Sequence, residues 1–428
     1  MSKVVVATYK TMLQWHTELE TGQSSLSSLR RKEYIMEAFS YYTPTDIHFG
    51  KEAQKKAGAL IRKHGAARAL VVYGGGSVIK SGLLDDIVGQ LEREGVSCLP
   101  FGGAKPNPLL SHAREGIQAA LDFQADFILA VGGGSAIDTA KAIAHGAANP
   151  MTDIWGFWKR KVELTKSLPV GVVLTISAAG SESSNSAVLT NDETGEKRGL
   201  STDLNRPRFA LLNPELTYTL PPYQIACGIV DIMMHTLDRY FSPTPGNELT
   251  DELAEGLLRV TIRNGTLAME DPGAYGPASE LMWCGSLSHN GLTGLGRLLD
   301  FGVHQLGHEL SGRFDVAHGA SLSTMWGAWA TYCHTTNVQR FAGYARKVWG
   351  IEMTKEDAAA RAGIERTVDY FRSLSMPTCF TELGIGIQSE DIIRDMAYSC
   401  TFFGKRLVGC FKKLSQSDIE NIYRMANK

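Results

Sequence analysis

Short runs of β-branched and apolar residues punctuate the first half of the chain: ALVVYGGGS (Ala69–Ser77), SCLPFGG (Ser97–Gly103), DFILAVGGGS (Asp126–Ser135), VGVVLT (Val170–Thr175) and RFALLN (Arg208–Asn213). Each is bounded by turn-forming residues and reads as a strand. Between several of them the apolar positions recur at helical spacing, as in Lys51–His64 and Ser111–Phe123. Strand and helix in alternation predict an α/β domain with a mostly parallel sheet and crossover helices. After Pro221 the β-branched runs stop, and helical patterns take over at Ile225–Tyr240, Asn247–Met269, Ala278–Asn290, Val303–Ser311 and Ala358–Ser375. The second half is therefore expected to be all-helical. The turn-rich NPELTYTLPP places the boundary near Leu212–Pro222, giving an α/β domain over 36–214 and a helical domain over 215–428. Residues 1–35, with the polar run SSLSSLRRK before Met36, read as an N-terminal extension of unknown role.

Composition narrows the function classes. Hydrophobic residues make up 43%, charged residues 21%, and the formal net charge is −2, so nothing favours nucleic acid or a charged membrane surface. No run reaches the roughly 18 apolar residues of a membrane helix, and the apolar patch before Thr8 and Lys10 is too short for a signal-peptide core. A cytoplasmic location is the expectation. Seven scattered cysteines without a CxxC pair argue against a disulfide framework and against a cysteine zinc site. Any metal must use nitrogen and oxygen ligands.

Two strands end in the same letters, VVYGGGS and LAVGGGS. Glycines between a strand and a helix let backbone amides approach a phosphate closely. One such loop is more often only a tight turn, but two in one α/β domain make a nucleotide site the better reading. Gly74, Gly75, Gly76 and Ser77 form the first; Gly133, Gly134 and Ser135 belong to the second, which continues through Asp138 and Lys141. No acid follows the first loop before Asp85. An acid there would favour NAD by binding the ribose hydroxyls and repelling the extra phosphate, so its absence favours NADP over NAD. A third loop, LTISAAGSESSNSAVLT, carries small hydroxyl residues after a strand, with Lys197 in an expected hairpin turn downstream.

Asp231 and His235 lie four residues apart in a helical pattern, and VHQLGHELSGRFDVAHG adds His304, His308 and His318. Residues at i and i+4 share a helix face, so a carboxylate and an imidazole there can meet one cation. A carboxylate with several imidazoles suits Fe2+ or Zn2+. Helical spacing alone would select His304 and His308 as the second pair, and leaves open which histidines are ligands.

Taken together, TISAAGSE, DIMMH, HQLGHELSGRFDVAHG and both GGGS loops resemble the iron-containing, or group III, alcohol dehydrogenases, particularly the NADPH-dependent aldehyde reductase and butanol dehydrogenase branch. The resemblance runs from about Phe39 to the C-terminus. It implies a Rossmann-like α/β domain followed by an all-α domain, in the two-domain arrangement also used by dehydroquinate synthase. It further implies Asp231, His235, His304 and His318 as metal ligands, and His308 as a catalytic neighbour that assists proton transfer. Cofactor contacts are implied at Gly74–Ser77, at Asn107 in a Pro106–Pro108 motif, at Gly133–Ser135 and Asp138, and at Thr175, Ser181 and Lys197. Ala179 departs from the pattern, standing where the related reductases often have Thr.

The activity this implies is hydride transfer between NADP(H) and a small aldehyde or primary alcohol, in a homodimer. The apolar segments around the expected ligands, IVDIMMHTL and LDFGVHQLGHEL, favour a simple substrate over a phosphorylated one. Two alternatives share parts of the pattern: a polyol or sugar-phosphate dehydrogenase of the same fold, and a metal-dependent hydrolase. The hydrolase leaves two phosphate-type loops unexplained.

Overall fold

The structure, a computed structural model, describes residues 36–428; the expected N-terminal extension lies outside these residues. Six strands form one parallel sheet: β1 (Asp46–Phe49), β2 (Arg68–Tyr73), β3 (Ser97–Phe101), β4 (Phe127–Gly132), β5 (Val170–Leu174) and β8 (Phe209–Leu212). Their order is β1-β8-β5-β4-β2-β3. Every residue of β4 is buried, with Phe127, Leu129 and Val131 in one core and Ile128 and Ala130 in the other. Burial on both faces is why this strand reads as an unbroken apolar run.

The chain steps from β2 outward to β3, then back across β2 to β4. The β2–β4 pair is thus a topological switch point, where ligands of open α/β sheets bind beyond the strand ends. Tyr73 pairs with Val131, which sets the two GGGS loops side by side at that crevice. A separate antiparallel hairpin, β6 (Ser186–Thr190) with β7 (Lys197–Ser201), stands beside the sheet. Lys197 is the first residue of β7, just past the turn.

From Pro222 onward the chain is helical. The helix Pro222–Tyr240 starts three residues before the apolar periodicity suggests, because Pro222 occupies its first turn, where a missing N–H costs nothing. From Ile229 to Tyr240 it is buried throughout and runs through the core of this half, where Met233, Leu237 and Tyr240 meet Trp326, Phe341 and Tyr344. Among the described residues no helix is long and apolar enough to cross a membrane.

At two places the halves meet backbone to backbone. A Cβ on Gly228 would lie 2.1 Å from the carbonyl oxygen of Ser177, and one on Gly180, at φ +64°, would lie 2.4 Å from that of Gly285. The loop after β5 is therefore clamped between the helices Pro222–Tyr240 and Tyr275–His289. This clamp fixes the helical residues of the site relative to the sheet.

Candidate active site

Asp231, His235 and Asp238 stand at i, i+4 and i+7 on the Pro222–Tyr240 helix and so share one face. His304 and His308 lie on the helix Gly302–Phe314. Asp315 ends that helix in the left-handed region, at φ 51°. The break spans Asp315, Val316 and Ala317, and His318 opens the next helix, His318–Cys333. The break turns the chain back, so His318 returns to Asp231 although no helical period links it to His304. Gly319 permits this approach: a Cβ there would lie 2.3 Å from the Cys227 carbonyl oxygen and 2.6 Å from its Cα.

Asp231 Oδ1 is the hub. His235 Nε2 is 3.3 Å away, His318 Nε2 3.7 Å and His304 Nε2 3.8 Å. Ligand atoms about 2.1 Å from a shared tetrahedral ion stand about 3.4 Å apart, so these spacings match a common ion. Asp231, His304 and His318 each offer a donor atom within 4.8 Å of the others, and His235 joins through Asp231. Asp231 Oδ1 and His304 Nε2 are buried and lack hydrogen-bond partners. Buried polar atoms are rarely left so, and a cation would satisfy both. The donor set therefore fits a divalent metal.

Surrounding groups prepare the imidazoles. Burial pushes His235, His318 and His308 well below the usual histidine range, with nearby cations adding to the effect. This favours the neutral form, which metal coordination by His235 and His318 would require. His304 is opposed by burial but raised overall by Asp231 and Asp238. Its Nδ1 bonds Asp238 Oδ2, which directs Nε2 towards the hub. His308 stands aside, its ring 5.4 Å from that of His318 and 6.3 Å from that of His304.

Sequence reasoning passed over two residues here. Asp238 carried a signal, its i+7 spacing from Asp231. His289 carried none: it comes from the helix Tyr275–His289, stacks on His235 with centroids 3.9 Å apart, and bonds the Ala179 carbonyl through Nδ1.

The expected cofactor residues divide into two groups. Gly74–Ser77, Gly133–Ser135 and Thr175 gather at the ends of β2, β4 and β5; Thr175 N bonds Gly132 O at 3.1 Å. Gly133 is required internally, since a Cβ would lie 2.1 Å from Ile176 Cγ2, whereas Gly75 has nothing within 4 Å. At Gly75 the bare backbone faces open space.

Asp138, Ser181, Asn107 and Lys197 instead bond protein. Asp138 accepts from Ser181 Oγ at 2.6 Å and from Val188 N at 2.9 Å, while the buried Lys141 donates to Ser181 O and Ser186 O, each at 2.7 Å. These contacts tie the helix Gly134–Ala148 to the serine-rich loop. Lys197 Nζ donates to Asn107 Oδ1 at 2.8 Å and to Ser311 Oγ at 3.0 Å, and Asn107 Nδ2 donates to Asp315 Oδ1 at 2.9 Å. That chain bridges the two halves beside His308. Burial pushes Lys197 down to about 8.

Known proteins resemble this chain along both halves. Residues 44–214 match the family described as iron-containing alcohol dehydrogenase, and residues 225–427 match its C-terminal part. The NADH-dependent butanol dehydrogenase A of Clostridium acetobutylicum is 37% identical over 91% of this chain and 99% of its own length. The NADPH-dependent aldehyde reductase YqhD of Escherichia coli is 36% identical over 82% of this chain and 90% of its own. The crystal structure of an NADH-dependent butanol dehydrogenase A from Thermotoga maritima has a TM-score of 0.89 at 32% identity, covering 92% of this chain and all of that one. None of these relatives is a hydrolase. With both family models matched in order along the chain and relatives more than 30% identical over most of its length, the chain belongs to the iron-containing alcohol dehydrogenase family and is an alcohol/aldehyde oxidoreductase.

Proposed function

We propose that this chain is a metal-dependent, NADP(H)-preferring reductase of small aldehydes, running also as an alcohol dehydrogenase. The observation that carries the reading is the partnerless Asp231 Oδ1 with three imidazole Nε2 atoms around it. Asp231, His235, His304 and His318 hold a divalent ion, Fe2+ or Zn2+, and the protein acts as a homodimer. The bound metal supplies a Lewis acid and the nicotinamide supplies the hydride.

The chain's own residues do the rest. Asp238 keeps His304 in the tautomer that presents Nε2. The amides of Gly133–Ser135, at the start of the helix Gly134–Ala148, receive the pyrophosphate. Lys197 and Asn107, which bridge the two halves beside His308, would turn polar groups to a cofactor bound between the domains. His308, neutral and flanked by Lys197, passes a proton to or from the substrate oxygen.

NADP preference rests on the first glycine loop, which holds no carboxylate and carries Lys80 at the end of its short helix. The relatives divide on this point, since the butanol dehydrogenases above are NADH-dependent and YqhD is NADPH-dependent. Ser77→Asp is expected to raise KM for NADPH by at least about tenfold while leaving that for NADH within a few-fold, roughly the 1.4 kcal/mol of one repelled charge. An unchanged ratio would remove the argument.

A second expectation concerns pH. A lysine pushed down to about 8 is a cation below that pH and neutral above it, so its attraction for an anionic cofactor is lost as pH rises. In the free enzyme kcat/KM for NADPH should fall through about pH 8, and Lys197→Arg should move the fall upward. A fall that stays in place in that variant assigns it to another group.

A further inference from the structure

A cavity of about 260 Å³ lies behind the Asp231 cluster, with Arg239 and His289 in its wall. Its walls are the segment Glu37–Tyr42, the stretch His289–Leu299, and three arginines, Arg206, Arg239 and Arg297. Two of these cations are already matched: Arg206 pairs with Asp203 at 3.0 Å, and Arg297 with Asp251 at 2.7 Å.

Arg239 is different. It is only 4% exposed, its Nη1 donates to the His235 carbonyl at 2.5 Å, and its guanidinium lies over the Phe301 ring at 4.8 Å. Its Nε has no partner. Asp238, its neighbour in sequence, turns a carboxylate oxygen to His304 instead. Among the described residues no carboxylate bonds Arg239. Arg297, 8% exposed, likewise has a partnerless Nε.

A buried guanidinium without a bonded counter-ion is costly, and a planar fork of this kind is best satisfied by a carboxylate. The cavity supplies the remaining recognition. Asn185 and Asn290 add polar groups, while Phe39, Tyr41, Leu295 and Leu299 line it with apolar surface. Ser40 and Tyr41 are exposed, so the cavity opens to solvent there.

We propose that this cavity binds a small amphipathic carboxylate, its head on Arg239 and its apolar tail among Phe39, Tyr41, Leu295 and Leu299, at a site distinct from the aldehyde and cofactor cleft. The site goes beyond the oxidoreductase reading and does not depend on which cofactor is used. Because Arg239 also holds the His235 carbonyl, the ligand would rest one residue contact from the metal ligands.

The test is calorimetric titration of the metal-loaded full chain with hexanoate, and with hexanamide as its neutral counterpart. Hexanoate should bind at one per chain and at least tenfold more tightly than hexanamide. Arg239→Gln should weaken it at least tenfold. Should that variant lose metal, Arg297→Gln replaces it with the same expected loss, since Asp251 keeps Arg340 as its partner. Ser40→Trp, which fills the mouth, should abolish binding while aldehyde reduction is unchanged. The proposal is overturned by absence of binding at millimolar hexanoate, by equal binding of inorganic phosphate, or by loss in Lys197→Ala with retention in Ser40→Trp, which would put the acid in the cleft.

Discussion

His318→Ala is expected to lose bound metal and, with it, aldehyde reduction, whereas His308→Asn is expected to keep the metal and turn over more slowly. The two histidines are ten residues apart, and their rings are 5.4 Å from each other. Only His318 points a nitrogen at the hub, 3.7 Å from Asp231 Oδ1. Removal of a hydrogen-bonded partner one step outside a metal site already costs 10–100-fold in affinity, so loss of a ligand should exceed about 100-fold. Loss of a general acid or base costs about 10²–10⁴-fold in rate, which is the range expected for His308→Asn. Metal content and kcat, measured on both variants, separate the roles. Metal loss in His308→Asn with retention in His318→Ala would reverse the assignment.

Gly319→Ala should be nearly as damaging, although Gly319 touches no substrate and carries no functional group. Its added Cβ would meet the Cys227 backbone at three atoms, all within 2.8 Å. Backbone cannot rotate away as a side chain would, so the helices Pro222–Tyr240 and His318–Cys333 must separate. Overpacking of this kind costs about 3 kcal/mol, enough for about 3 °C in Tm for a chain of 428 residues. The same separation carries His318 away from Asp231, so metal affinity should fall together with Tm. Gly343→Ala is the control, since nothing lies within 4 Å of a Cβ there. A Gly319→Ala protein of normal Tm and metal content would show that close helix contact does not set the ligand geometry.

Five of the six strands of the sheet were legible, the central ones because burial on both faces leaves continuous apolar runs, as in FILAVG; β1, DIHF, is only half-buried and was not. Of the hairpin only the turn at Lys197 was legible, since KRGLS buries Leu200 alone and shows no alternation. Helix periodicity located Asp231 with His235, and His304 with His308. It could not locate His318, because a left-handed Asp315 breaks the period between the two helices. The resemblance to a known family pointed to His318, and the geometry shows the backbone turn that brings it beside Asp231.

Chemistry without a local pattern stayed hidden. Asp138 and Lys141 follow a glycine loop as phosphate-binding residues do, yet their side chains face inward to the serine-rich loop. Lys197 and Asn107 are ninety residues apart, and no spacing rule links them. His289 stacks on His235 because the close approaches at Gly180, Gly228 and Gly285 pack three segments together. Their positions are consequences of tertiary packing.

The most direct test of the central claim is NADPH oxidation by the protein purified without air and loaded with Fe2+ or Zn2+, assayed against aldehydes of increasing chain length. The account predicts aldehyde-dependent oxidation that a chelator abolishes, that readded metal restores, and that NADH supports less well. A protein with one metal per chain that oxidises neither NADPH nor NADH in the presence of any aldehyde would contradict it.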